Sequence, residues 1–173
     1  MMLFDEKLKK NLGRYILQCF LATLTILAVL LFLDVLTETA IIAALGASAF
    51  IVFTMPKTYS SDMRRLLGGY IVGTSVGIMF HFISISKEAE SIFANSSAPL
   101  ILFGAMSVGI AIFIMAITNT EHAPAAGIAL GLVINQWTFM TVLFILIAIL
   151  WMASVKKLLK SYLMNLTSPI AQR

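Results

Sequence analysis

Apolar residues in this chain come in unbroken runs, without the alternation of a half-buried strand or the three-and-four spacing of a surface helix. Four runs are long: Leu12–Leu33, Leu66–Ile85, Pro99–Thr118 and Trp137–Val155. A bilayer core about 30 Å thick is crossed by about 20 helical residues at about 1.5 Å each, so each run predicts a spanning helix. Two further runs are shorter. Thr39–Met55, ended by Pro56, is marginal in length, and Pro124–Asn135 reaches only about two-thirds of the way across at that rise. The first run is too long for a signal-peptide core, and no small-x-small cleavage pattern precedes Asp34, which is expected to mark the end of an uncleaved helix. Polar positions gather between the runs. Ser84–Ala98, with Lys87, Glu88, Glu90, Asn95, Ser96 and Ser97, is the one long polar loop, and it divides the chain nearly in half.

Composition agrees with the pattern. Of 173 residues 60% are apolar and 12% charged, against roughly 45–50% and about 25% in soluble domains. A soluble domain of this size has too little interior for that much hydrocarbon, and a secreted disulfide scaffold, disorder and nucleic-acid binding are poor fits. The single Cys19 lies in an apolar run, so neither a disulfide framework nor a cysteine-based metal site is expected. The net charge of +4 is informative through its placement. With six crossings and a cytoplasmic N-terminus, eleven of the twelve basic residues face the cytoplasm, and only Lys87 does not. Turning back either short run alone would translocate Arg64 and Arg65 or the three tail lysines. The fold expected is therefore all-α: one polytopic transmembrane helical bundle over 1–173, with six membrane segments and both tails cytoplasmic. No transit peptide is evident, which favours a prokaryotic plasma membrane. Trp137 and Trp151 suit the interfacial belts.

The two halves resemble each other. Thr37-Glu38-Thr39-Ala40 runs into Ala43-Ala44-Leu45-Gly46-Ala47, and 83 positions later Thr120-Glu121-His122-Ala123 runs into Ala125-Ala126-Gly127-Ile128-Ala129. Each half is a long–short–long set of three segments, about 12–85 and 99–155. Three crossings per half turn the second half upside down, which is the inverted-repeat plan of many transporters, with the substrate near the midplane between repeats.

Chemistry concentrates where the short segments begin: Asp34, Thr37, Glu38 and Thr39 in one half, and Thr118, Asn119, Thr120, Glu121 and His122 in the other. If both clusters dip into the bilayer, two helix N-termini converge and their free N–H groups favour an anion. Glu38 and Glu121 oppose an anion unless they are protonated, which would couple anion and proton movement. The plainer alternative makes them headgroup-level caps, with Thr37 and Thr120 supplying N-cap oxygens. His122 stands ahead of Pro124, which suits a first helical turn. Glu121 and His122 are adjacent and share no helix face, so they form no metal motif. The candidate substrate-binding set is Asn119, Thr120, Glu121, His122, Pro124 and Ala125, with Glu38 and Thr39 from the first half. His81, Asn135 and Gln136 read as segment-end residues. No Cys/His cluster, nucleophile elbow or phosphate loop is present, so no enzyme, catalytic residue or cofactor is expected.

Small residues recur at helical spacing in Gly69-x-x-x-Gly73-x-x-x-Gly77, Gly127-x-x-x-Gly131 and Ala40-x-x-x-Ala44-x-x-x-Ser48. They allow close backbone approach within a protomer or between copies, so a homodimer or higher homo-oligomer is expected.

Three stretches resemble the HPP family of integral membrane proteins: Leu45-Gly46-Ala47-Ser48-Ala49-Phe50-Ile51-Val52-Phe53 with Pro56, Gly68-Gly69 with Gly73, and Glu121-His122-Ala123-Pro124-Ala125-Ala126-Gly127-Ile128-Ala129-Leu130. The resemblance covers roughly 12–155. His122 and Pro124 match the first and third positions of the family's His-Pro-Pro motif and Ala123 replaces the middle proline, while Lys57-Thr58-Tyr59-Ser60-Ser61 also lacks a second proline. The resemblance implies a small-anion permease, with nitrite the named candidate, because some members are linked to nitrite transport. Two alternatives from other classes are a non-transporting scaffold and a proton-coupled cation transporter using Glu38 and Glu121.

Overall fold

The computed structural model describes residues 6–32, 38–93 and 97–166; Asp34 and Thr37 lie outside them. Among these residues all regular structure is helical, as seven α-helices and one 3-10 turn. Four helices are long and apolar enough to cross a membrane: α1 (Glu6–Phe32), α3 (Met63–Ser84), α5 (Ala98–Thr118) and α7 (Phe139–Leu158). Two shorter apolar helices, α2 (Thr39–Thr54) and α6 (Ala123–Ile134), complete the bundle. These bounds follow the expected runs closely. α1 kinks at Asn11 (φ −133°, ψ 25°), immediately before the expected start at Leu12.

Local chemistry explains the ends. Asp62 caps α3 by accepting the Arg64 N–H at 3.2 Å. α5 closes with Asn119 in the left-handed region (φ 56°), and the Thr120 N–H reaches back to Met115 O at 2.9 Å, a Schellman closure with Asn where Gly is usual. Pro124 stands in the first turn of α6, and Thr138 with Thr141 forms a reciprocal capping box for α7. One expectation is corrected: the polar stretch 84–98 contains a short helix, α4 (Lys87–Phe93), started by Ser86 Oγ accepting the Ala89 N–H.

α6 is the centre of the bundle, with α3, α5 and α2 packed around it and most of its residues buried. Its small side chains make that possible. A Cβ on Gly69 would come within 2.7 Å of His122 Cβ, one on Gly77 within 2.9 Å of Ala129 O, and one on Gly73 would collide with Ala125 O. The glycine face of α3 is therefore filled within the protomer, by α6.

α2 and α6 cross side by side and antiparallel. Gly131 meets Ile41, Gly127 meets Ala44, and His122 bonds Ser48. The outer faces of α1, α5 and α7 expose Leu31, Ile101 and Phe139 among many large apolar side chains, a surface suited to lipid. Trp151 is exposed on α7, whereas Trp137 packs its ring 5.0 Å from His81 and donates Nε1–H to Leu132 O at 2.7 Å. Asn135 closes α6, its N–H bonded to Gly131 O at 3.0 Å.

The segment after α7 folds back as a strap, from 159 to 166. The Leu166 N–H donates to Thr54 O and Tyr15 donates to Leu166 O, both at 2.8 Å. The fully buried Gln18 amide donates to Phe53 O and to Met164 O, and accepts the Met164 N–H at 3.3 Å.

Candidate functional site

The left-handed turn at Asn119 ends α5 and starts an extended linker into α6, and extended backbone sends successive side chains to opposite sides. Glu121 accordingly faces outward and is exposed, while His122 faces the bundle interior at 1% exposure.

The His122 ring is held at both nitrogens. Nδ1 lies 3.0 Å from Ser60 O, and Nε2 lies 2.8 Å from Ser48 Oγ. A carbonyl only accepts, so Nδ1 carries the proton and, in the neutral ring, Nε2 accepts from the Ser48 hydroxyl. Ser48 Oγ then accepts from the Tyr70 hydroxyl at 2.8 Å, which also lies 3.3 Å from Ala44 O. Ser48 is 0% and Tyr70 1% exposed. A continuous polar chain, Ser60–His122–Ser48–Tyr70, thus runs from the α2–α3 connection into the core where α2, α3 and α6 meet. Buried hydroxyls left without partners cost about 1–3 kcal/mol each, so each member of this chain fixes its neighbour.

A charged cluster covers the Ser60 end of this chain. Arg65 is only 7% exposed, and its guanidinium stacks on the Tyr59 ring. It donates to Asn119 Oδ1 and lies 3.5 Å from Glu121 Oε2 and 3.9 Å from Asp62 Oδ2. The Tyr59 hydroxyl donates to Asn119 Oδ1 at 2.8 Å and approaches Glu121 Oε2 at 3.4 Å. Next to this, the Lys156 ammonium donates to Ser61 O and Oγ, so α7 pins the 3-10 turn Tyr59–Ser61 whose Ser60 carbonyl holds His122.

The expected residues divide between these places and a third. Asn119 and Glu121 belong to the charged cluster. Thr120 bonds Thr118 Oγ1 at 2.8 Å and supplies no N-cap oxygen to α6. The N-cap position is His122, whose side chain makes no cap bond because both nitrogens are engaged elsewhere. Pro124 and Ala125 are buried in the first turn, where Pro124 has no N–H and the Ala125 N–H donates to His122 O at 2.9 Å. The N–H supply expected there is correspondingly smaller. Glu38 and Thr39 lie elsewhere. In the antiparallel crossing, Ser48 stands ten positions beyond Glu38, about 15 Å along the axis. Glu38 is buried beside the far end of α6 and its side chain does not cap α2. The two N-termini therefore do not converge.

The residues that complete the site, Ser48, Tyr70, Ser60, Tyr59 and Arg65, were readable only in part. Ser48 stood out as a small packing residue and Arg65 as an orientation charge. Tyr70 lies inside an apolar run, where an aromatic ring reads as core filler.

A family model described as HPP, transmembrane region, matches residues 7–169. No curated protein and no solved structure matches the chain.

Proposed function

The chain belongs to the HPP transmembrane family, and on that premise we propose that it moves a small monovalent anion across the membrane, nitrite being the leading candidate. The observation that carries this reading is the buried Ser48–His122–Tyr70 cluster between the two short helices. Polar groups in a membrane bundle are costly and mark substrate pathways, and two hydroxyls beside an imidazole form a donor set for a small anion.

Protonation supplies the coupling. When His122 gains a proton, Nε2–H becomes a donor and Ser48 Oγ accepts from it. The Ser48 hydroxyl hydrogen, which pointed at the ring, is then free to donate to an anion, and the imidazolium offsets the anion's charge. Arg65, stacked on Tyr59 and tied to Glu121, Asn119 and Asp62, closes this end of the polar chain.

The arrangement of helices supports an inverted repeat of two three-helix halves with six crossings. Exchanging the halves maps the packing of α1 with α2 onto that of α5 with α6, α3 with α6 onto α7 with α2, and α3 with α5 onto α7 with α1; each pair makes contact. With both tails cytoplasmic, the Arg65 cluster faces the cytoplasm of a prokaryotic cell.

Uptake into proteoliposomes tests the reading. Purified protein should accelerate entry of nitrite, and of formate or nitrate to a lesser degree, over empty vesicles, and more strongly at acidic pH. Equal rates with and without protein for all these anions would remove it.

A further inference from the structure

A cleft of about 1110 Å³ opens between the turn after α2, the start of α3, the last turn of α7 and the strap. Lys57, Lys156, Lys157 and Lys160 line it, and Asp62 is its one acid. The acid is engaged already, capping α3 and lying against Arg65, and Lys156 is held by Ser61. Lys57, Lys157 and Lys160 are exposed, and among the described residues no carboxylate pairs with them. Three unpaired ammonium groups around one cleft call for an anion.

Size and lining decide which anion. The cleft is larger than an inorganic ion fills and is on the scale of sites for molecules of many atoms. Its wall is also apolar, through Met63, Leu158 and Leu163. Leu158 is 79% exposed at the end of α7, where a membrane helix gives way to its charged flank. Cations beside hydrocarbon at that level match a phosphate headgroup carried on acyl chains, and basic clusters next to a membrane helix attract anionic lipid.

The geometry points to a binding site for an anionic phospholipid in this cleft, its phosphate taken by Lys57, Lys157 and Lys160 and its first methylenes by Leu158 and Met63. The site is independent of the transport reading, because none of its three cations touches the His122 cluster. Occupancy would join the strap to α3 and so stiffen the end of the bundle that carries the Tyr59–Ser61 turn.

The test follows thermal unfolding of the full-length protein in detergent micelles, titrated with phosphatidylglycerol, phosphatidylcholine or inorganic phosphate at fixed ionic strength. Phosphatidylglycerol should raise Tm by about 5 °C at saturation, as a ligand in large excess over its Kd does for a chain of this length. Phosphatidylcholine should do little. The triple variant Lys57→Gln, Lys157→Gln, Lys160→Gln should keep its own cooperative transition and lose the lipid shift, because all three side chains are exposed. Three results would each overturn the assignment: no shift with phosphatidylglycerol, an equal shift with phosphatidylcholine, or a shift retained by the triple variant. A full shift from inorganic phosphate alone would overturn the lipid as the source.

Discussion

Ala44 of α2 and Gly127 of α6 meet where the two short helices cross, so close that a Cβ on Gly127 would lie 3.3 Å from that of Ala44. They are also 83 positions apart in the chain, the same offset that aligns Thr37-Glu38 with Thr120-Glu121. In an inverted repeat of the two halves each residue would thus pack against its own counterpart, as the residues nearest a pseudo-two-fold axis do. This supports the inverted-repeat reading, and it explains why equivalent glutamates end up apart: a two-fold through the middle of an antiparallel pair sends their N-termini to opposite ends.

Labelling from the two sides of the membrane follows directly. In a Cys19→Ser background, Thr39→Cys and Glu121→Cys, both at exposed positions, should react with a membrane-impermeant maleimide from opposite faces of oriented vesicles. Reaction of both from one face would contradict the six-crossing arrangement.

Packing of α3 on α6 predicts a graded glycine series. Gly73→Ala forces a methyl group into Ala125 O, and backbone cannot move aside as a flexible side chain can. Overpacking of that kind costs about 1–3 kcal/mol, or roughly 3–10 °C in Tm for a chain of this length. Gly109→Ala on α5 meets nothing within 4 Å and should be neutral or raise Tm slightly through helix propensity. Equal Tm values for the two variants in detergent would sink this account of the core.

The turn at Asn119 separates backbone from side-chain effects. Asn119→Ala loses the bonds to Tyr59 and Arg65 and keeps a Cβ in left-handed backbone without the side-chain amide that makes Asn tolerant of that region. Asn119→Gly loses the same bonds and relieves the backbone. The glycine variant should therefore be more stable than the alanine variant by about 1 kcal/mol in chemical or thermal unfolding. The reverse order would show that the turn is not held in the left-handed region.

Run lengths were enough to place the helices to within a few residues, because an apolar run of about 20 residues has few other solutions in a bilayer. The small residues of the short segments likewise announced close packing, and α6 is the buried centre. What the pattern could not carry was pairing between segments. The expected convergence of Glu38 with Glu121 needed the two short helices to point at each other, and nothing local to either segment sets how they cross. Tyr70 and Ser48 gain their role only because Gly69 and Gly73 let α6 approach until His122 reaches both helices. Arg65 was counted for its charge alone; its burial arises from the Tyr59 ring and from Asn119, which lies 54 positions further along the chain. The strap was missed because Gln18, its main anchor, sits alone in a long apolar run.

The central claim is that the buried hydroxyls beside His122 receive a small anion in transit, and Tyr70→Phe isolates it. That change keeps the ring in its packing and removes one donor, and loss of a hydrogen bond to a charged group costs about 1.5–3 kcal/mol, or roughly ten- to a hundredfold. Nitrite uptake into proteoliposomes should be clearly faster with wild-type protein than in empty vesicles. With Tyr70→Phe it should fall at least about tenfold while Tm in detergent stays within a few degrees. Uptake by Tyr70→Phe at the wild-type rate, or wild-type uptake no faster than in empty vesicles, would contradict the account.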